Sequence, residues 1–116
     1  MSSELVLGNI FVRPNCGMAQ GAVCDGHTHN FDHVTFVTRG SFRITRTWPD
    51  GRTETIVVHA PGSAGYDGRW FVLIKAECMH RLEALEPNSD FFCVYAHRDP
   101  QGRVLQHYDG WLESYY

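Results

Sequence analysis

The chain has 116 residues, of which 43% are hydrophobic and 20% charged, and its formal net charge is −3. This length suits one domain with a core of its own, and the composition is that of an ordinary globular protein. The weak negative charge argues against nucleic-acid binding, which needs a clustered basic surface, and no apolar run approaches the roughly 18–20 residues that span a bilayer. We therefore expect a single domain over residues 1–116, with no nucleic-acid or membrane partner.

Short apolar runs separated by turn residues predict strands along most of the chain. The first five predicted strands span residues 5–13, 18–25, 34–38, 42–48 and 53–59. Pro49-Asp50-Gly51-Arg52 is expected to turn the last two into a hairpin, because proline fixes φ and glycine accepts positive φ. Pro14-Asn15-Cys16-Gly17 is a second predicted turn.

The second half of the chain continues the pattern after a glycine-rich connection at residues 61–68. Further strands are predicted over residues 70–74, 80–85, 91–97 and 104–108, and the aromatic tail from 109 to 116 is expected to pack as a short turn or to serve in a dimer contact. Nine or ten short strands without an amphipathic helix favour an all-β sandwich or barrel.

Histidines carry the strongest chemical signal, since three of the seven, His27, His29 and His33, fall within seven residues. Neutral imidazole is the commonest side-chain ligand of transition metals, and side chains two apart on a strand share a face. One strand supplies only part of a coordination sphere. His80, which follows a long β-rich stretch, is the expected donor from a second strand.

The spacing of these residues resembles a known pair of motifs. The series Gly21, His27, His29, His33 and Gly40, with five, one, three and six residues between successive members, resembles the first motif of the cupin superfamily, although cupins normally have glutamate at the position of His33. The second cupin motif has a proline, a glycine two positions later and a histidine three after that. Here Lys75, Glu77 and His80 occupy these places, so that only the histidine matches.

The resemblance is to a small single-domain cupin and covers about residues 5–108. It implies a jelly-roll β-barrel in which His27, His29, His33 and His80 bind one divalent transition metal. Iron, nickel, zinc, manganese and copper all accept imidazole, whereas magnesium and calcium prefer oxygen. Four neutral imidazoles would leave the ion its full positive charge and favour an anionic ligand. Alternatively, the side chain of His33 points away from the metal, and the three other histidines are its ligands.

Three functions are consistent with the sequence. The resemblance favours a metal-dependent enzyme acting on a small organic substrate in the barrel cavity, with dioxygenase-like chemistry ahead of isomerase or lyase chemistry. A non-catalytic module that binds a metal or metabolite is the alternative. The third possibility is a structural role, in which the metal only stabilises the fold. No catalytic residue beyond the ligands is assigned, and the metal is the only cofactor expected.

The remaining expectations concern partners, compartment and side chains outside the histidine cluster. The resemblance implies a homodimer, and the first residues lack a secretory signal, which favours the cytoplasm. The cysteines lack a C-x-x-C pair and are expected to be free thiols. The arginines at positions 39, 43, 46 and 52 are expected to form a solvated face.

Overall fold

The computed structural model describes residues 2–26, 28–105 and 110–114, and all regular structure within these ranges is β. The strands are β1 (Ser2–Leu7), β2 (Ile10–Met18), β3 (Val23–Asp25), β4 (His33–Arg39), β5 (Ser41–Thr47), β6 (Thr53–His59), β7 (Phe71–Ile74), β8 (Met79–Ala84), β9 (Ser89–Tyr95) and β10 (Gly110–Ser114). Across these ranges we find no helix that is long and apolar enough to cross a membrane.

The strands form two antiparallel sheets. The six-stranded sheet has the order β10-β1-β2-β9-β4-β7, and the four-stranded sheet has the order β3-β8-β5-β6. Side chains alternate between the two faces of each strand, so every second residue points into the space between the sheets. The all-β sandwich or barrel predicted from the sequence is confirmed.

The core lies between the inner faces of the two sheets. Val37 and Phe91 come from the six-stranded sheet, and Phe42 and Ile44 come from the four-stranded sheet; all four are buried. The rings of Phe42 and Phe91 meet edge to face with centroids 5.1 Å apart, a favoured aromatic geometry. This contact ties the two sheets together.

Glycines explain why the first predicted strand is two strands. Gly8 has φ of 64°, a value that L side chains disfavour, and it turns the chain between β1 and β2. The predicted turn at residues 14–17 instead lies inside β2, whose register on β9 shifts between Asn15 and Met18. Gly17, with φ of 70°, absorbs that irregularity.

Three other segments differ from the sequence prediction. Of the predicted strand at 18–25, Met18 is the last residue of β2 and only Val23–Asp25 form a strand, β3. Of the predicted strand at 104–108, Val104 forms an isolated bridge with Arg98, and residues 106–108 lie outside the described part of the chain. Residues 110–114 form β10, which pairs with β1, rather than a short turn.

Candidate metal centre

Three of the four predicted ligands meet at one end of the space between the sheets. His33 opens β4 in the six-stranded sheet, His80 is the second residue of β8 in the four-stranded sheet, and His29 lies in the connection from β3 to β4. A nitrogen of each ring lies within 4.8 Å of the others. Residue 27 is outside the described residues, so the predicted ligand His27 has no described place.

His33 is the most constrained ring of the cluster. It is 4% exposed, and neither ring nitrogen has a hydrogen-bond partner among the described residues. Burial, together with the nearby charges of His80, His29 and Arg13, lowers its pKa to about 3. The ring is therefore neutral near pH 7 and keeps a lone pair on one of its two nitrogens. Buried polar atoms without partners are costly, and a cation coordinated here would remove that cost.

The orientation of His80 is set by its own strand. Nδ1 of His80 lies 3.3 Å from the carbonyl oxygen of Cys78. In the tautomer in which Nδ1 carries the proton, it donates a hydrogen bond to that oxygen. That tautomer leaves the lone pair on Nε2 for a metal, an arrangement common among metal-binding histidines. No sequence pattern indicates this hydrogen bond, because the acceptor is a backbone oxygen.

His29 is held by contacts between its own connection and the turn from β7 to β8. The amide of Glu77 donates to the carbonyl oxygen of His29 at 2.7 Å. Asp32 accepts hydrogen bonds from the amide of Ala76 at 2.8 Å and from Nζ of Lys75 at 3.0 Å, and these bonds hold the pKa of its carboxyl below the usual value. The ring of Phe31 stacks on His29 with centroids 4.7 Å apart.

A cavity of about 290 Å³ opens beside the three histidines. Its walls are formed by Arg13, Asn15, Cys24, Asp25, Gly26, His29, His33, His80, Leu82, Phe91 and Cys93. Burial raises the pKa of the Cys24 thiol and raises that of Cys93 to about 11. Both groups are therefore neutral thiols near pH 7 and do not act as thiolates in this cavity.

Arg13 is a cavity residue that sequence analysis missed. It lies on the inner face of β2 and opposes Cys93 of β9, with its guanidinium carbon 5.9 Å from the centroid of the Tyr95 ring. Phe11 is buried, and Arg13 follows it two positions later on the same strand. Because residues two apart on a strand share a face, this alternation is the sequence signal that Arg13 lies on the inner face. Among the arginines expected on a solvated face, Arg46 is partly buried, and its Nη1 donates to the carbonyl oxygen of Leu73.

No family model and no curated protein matches the sequence. Among solved structures, the chain is similar to a formate complex of oxalate decarboxylase from Lactobacillus farciminis, with a TM-score of 0.68, 18% identity and coverage of 89% of this chain and 30% of that one. It is also similar to a variant of the Bacillus subtilis oxalate decarboxylase, with a TM-score of 0.66, 19% identity and coverage of 85% of this chain and 24% of that one.

These likenesses place the architecture in a known class. The protein has a cupin-type jelly-roll fold, as the resemblance of its histidine motif implied. The chain spans only 24–30% of the length of the decarboxylases that it matches. At such low identity the likeness shows the fold alone, so the function has to be argued from the site.

Proposed function

We propose that the protein is a metal-dependent cupin enzyme that acts on a small organic acid in the barrel cavity. His29, His33 and His80, with His27 as the fourth ligand predicted from the sequence, would hold one divalent transition metal. The observation that carries the proposal is the ring of His33, which is buried with both nitrogens lacking a partner among the described residues and which lies in a cluster of three histidines. The all-nitrogen donor set suits iron, nickel, zinc, manganese or copper.

Charge supports an acidic substrate. The described ligands are imidazoles, which bring no negative charge, and the cavity wall contributes the guanidinium of Arg13 and the amide of Asn15. Arginine binds carboxylates through paired hydrogen bonds, so we assign Arg13 to a substrate carboxylate and Asn15 to a second polar group. A bound metal would supply Lewis acidity beside that substrate. The structural neighbours are named for oxalate and, in one case, a formate complex, which are small carboxylates.

The reaction type is the finer part of the proposal. Dioxygenase-like chemistry follows from the resemblance of the histidine motif, with isomerase or lyase chemistry behind it. Oxygen consumption by iron-loaded protein with a panel of small organic acids tests the first, and carbon dioxide release from oxalate by manganese-loaded protein tests a decarboxylase-type lyase. If neither reaction, nor any isomerisation of the panel acids, exceeds that of His33→Gln, the enzymatic proposal fails.

Metal binding is tested separately from turnover. Metal-stripped protein titrated with Ni²⁺ or Mn²⁺ in a calorimeter should bind one ion per chain. His33→Gln should weaken binding at least ten-fold, because removal of a ligand leaves the ion short of one donor. His59→Gln is the matched control, since His59 lies outside the cluster and contacts Ser63 instead. Equal affinities in the two variants would contradict the site.

A non-catalytic binding module is the second candidate, and one feature of the cavity favours it. Asp25 is the only carboxylate among the described lining residues, and it pairs with Arg81 at 3.4 Å. A general base is therefore not evident there. Binding of oxalate at one per chain, without turnover under any metal, would select this candidate over the enzyme.

We also propose that the protein works in the cytoplasm and as a homodimer, as expected from the sequence. Fractionation of cells that express the untagged chain checks the first part. The mass of the purified protein in solution checks the second.

A further inference from the structure

The cavity beside the three histidines extends along the strands away from them. On β9, Tyr95 pairs with His33, and Cys93 and Phe91 follow it at alternate positions on the same inner face. Two residues of a strand advance by about 6.6 Å, so Phe91 lies about 13 Å along β9 from the level of His33. The cavity is lined by His33, Cys93 and Phe91. It therefore reaches well beyond the space that a metal ion needs.

The far end of the cavity, which we define by Cys24, Leu82, Phe91 and Asn15, is largely apolar. Leu82 is 2% exposed and Phe91 4%, and the ring of Phe91 packs edge to face on Phe42 behind it. Cys24 pairs with Leu82, and a neutral thiol behaves as a small hydrophobic group. Asn15, opposite Phe91, adds an amide without charge. A ligand that reaches the far end therefore meets mainly carbon and sulfur.

The positive charge of the cavity wall lies toward the histidine end. Arg13 opposes Cys93, but its guanidinium carbon lies 5.9 Å from the centroid of the Tyr95 ring, which is at the level of His33. The wall at the level of Cys93 offers a ligand little else that is polar, because the hydroxyl of Thr35 and Sγ of Cys93 share a hydrogen bond of 3.3 Å. A carboxylate is therefore best placed between Arg13 and the histidines.

We propose that the substrate is a monocarboxylic acid whose uncharged, largely apolar body fills the far end of the cavity while its carboxylate lies at Arg13 and the metal centre. The inference rests on the proposed function, since it places the acid in the same site. A water molecule occupies about 30 Å³, so a cavity of about 290 Å³ holds on the order of ten non-hydrogen atoms. Oxalate or formate at Arg13 would leave the far end empty.

A second carboxylate on the acid would be unfavourable at the far end. It would lie against Leu82 and Phe91, and the far end has no cationic side chain among the described lining residues. Asp25, the acidic residue of the described wall, has a side chain that is 83% exposed and paired with Arg81, so it belongs to the rim. Removing a charge from water without a partner is strongly unfavourable. The cavity therefore favours a monocarboxylate over a dicarboxylate of the same length.

The length of the acid tests the apolar body directly. Ni²⁺-loaded protein is titrated in a calorimeter with acetate, butanoate, hexanoate, octanoate and decanoate. The affinity should rise by roughly three- to four-fold with each added methylene up to hexanoate or octanoate, and it should not rise further with decanoate, which exceeds the cavity. Adipate, which has as many non-hydrogen atoms as octanoate, should bind more weakly than octanoate by about ten-fold or more. A series without a rise, or adipate as tight as octanoate, would overturn the proposal.

Variants at the two ends of the cavity locate the body and the carboxylate of the acid. Cys24→Leu adds carbon beside Leu82 and should weaken octanoate binding by about ten-fold or more while leaving acetate unchanged. Cys16→Leu is the matched control at an exposed position and should keep the wild-type series. Arg13→Gln should weaken every acid by a similar factor, about ten-fold or more, without changing the preferred length. Equal octanoate binding in Cys24→Leu and Cys16→Leu would place the acid outside the cavity and overturn the proposal.

These titrations are distinguishable from the tests of the proposed function. The nickel content of the same samples reports on the metal site. A rise of affinity with chain length in protein that turns over no acid would support the apolar body and contradict the enzymatic function. Turnover of oxalate without any rise along the series would support the enzymatic function and overturn the proposed class of substrate.

Discussion

Glu77 has a left-handed backbone conformation, with φ of 65°, in the turn whose amide holds the carbonyl of His29. This conformation costs an L residue roughly 1–2 kcal/mol, whereas glycine adopts it freely. Glu77→Gly should therefore raise the free energy of unfolding by about 1 kcal/mol and the melting temperature by a few degrees. The hydrogen bond to His29 should persist because it uses the backbone amide. Urea denaturation measures the gain.

Asn88 provides the matched control for Glu77, since it also has a left-handed φ, of 56°. Asparagine tolerates this region better than glutamate does. Asn88→Gly should therefore gain less stability than Glu77→Gly. Equal gains, or a loss of stability in Glu77→Gly, would show that the side chain of Glu77 stabilises the turn by another route.

Gly26 directly follows β3 and lies against the backbone of His80 in β8, the neighbouring strand of the same sheet. A Cβ at Gly26 would lie 1.5 Å from the carbonyl oxygen of His80 and 2.5 Å from its carbonyl carbon, distances that no side-chain rotation can relieve. Gly26→Ala should displace β3 or β8 and lower the affinity for Ni²⁺ by about ten-fold or more. Isothermal titration of metal-stripped protein gives the affinity.

Gly51→Ala is the control for the Gly26 variant. Gly51 has φ of 88° with no atom within 4 Å of an added Cβ, so alanine there should cost roughly 1–2 kcal/mol of backbone strain and leave metal binding unchanged. If Gly26→Ala binds Ni²⁺ as tightly as Gly51→Ala does, the close approach of Gly26 has no part in positioning His80.

At the scale of elements, the connection before β4 is fixed by the turn between β7 and β8. Asp32 accepts from the amide of Ala76 and from Lys75, and His29 and His33 flank it in sequence. Asp32→Ala should free the connection before β4 from the turn and weaken Ni²⁺ binding by about ten-fold. It should also lower the free energy of unfolding by about 1–2 kcal/mol relative to the wild type. Calorimetry and urea denaturation measure the two effects.

Asp67→Ala separates the loss of a turn hydrogen bond from the loss of ligand positioning. Asp67 accepts from the amide of Arg69 at 3.0 Å in a different connection, so its removal should cost stability and leave metal affinity unchanged. A similar loss of affinity in both variants would mean that Asp32 acts on overall stability alone.

The elements differ in how far the sequence predicts them. Residues 53–59 match β6 without change, because a proline-glycine turn and alternating residues define that hairpin locally. The boundary between β1 and β2 was missed because it depends on the single left-handed Gly8. Arg13 was missed for a different reason: the alternation with Phe11 puts it on the inner face, but its place in the cavity depends on the pairing of β2 with β9, which local patterns do not specify. The convergence of His29, His33 and His80 was accessible because motif spacing carries that long-range information.

At the scale of the whole molecule, polar groups tie the sheets together at the end opposite the histidines. Glu86, in the connection from β8 to β9, accepts hydrogen bonds from the hydroxyls of Ser41 at 2.6 Å and Ser63 at 3.0 Å. Ser89 donates to the backbone oxygen of Glu86 at 2.7 Å. The histidines lie at the starts of β4 and β8, so the two clusters close opposite ends of the sandwich. Changes at Glu86 should therefore affect stability without affecting the candidate metal centre.

Glu86 also gives the molecule a defined dependence on pH. The hydrogen bonds from Ser41 and then Ser63 lower its pKa below the usual value, so the folded state binds this proton less readily than the unfolded state does. The stabilisation is therefore complete above the unfolded pKa of about 4.3 and is lost as the pH falls through the folded pKa.

The difference in unfolding free energy between the wild type and Glu86→Gln should be largest at pH 6 and should shrink toward pH 3. Ser63→Ala removes one of the two hydrogen bonds to Glu86. The difference in unfolding free energy between the wild type and this variant should have a pH dependence of the same sign as for Glu86→Gln, but smaller. Because the other carboxylates are shared by all three proteins, their titration cancels in the comparison, and a difference that stays constant or grows as the pH falls would contradict the role of the charged carboxylate.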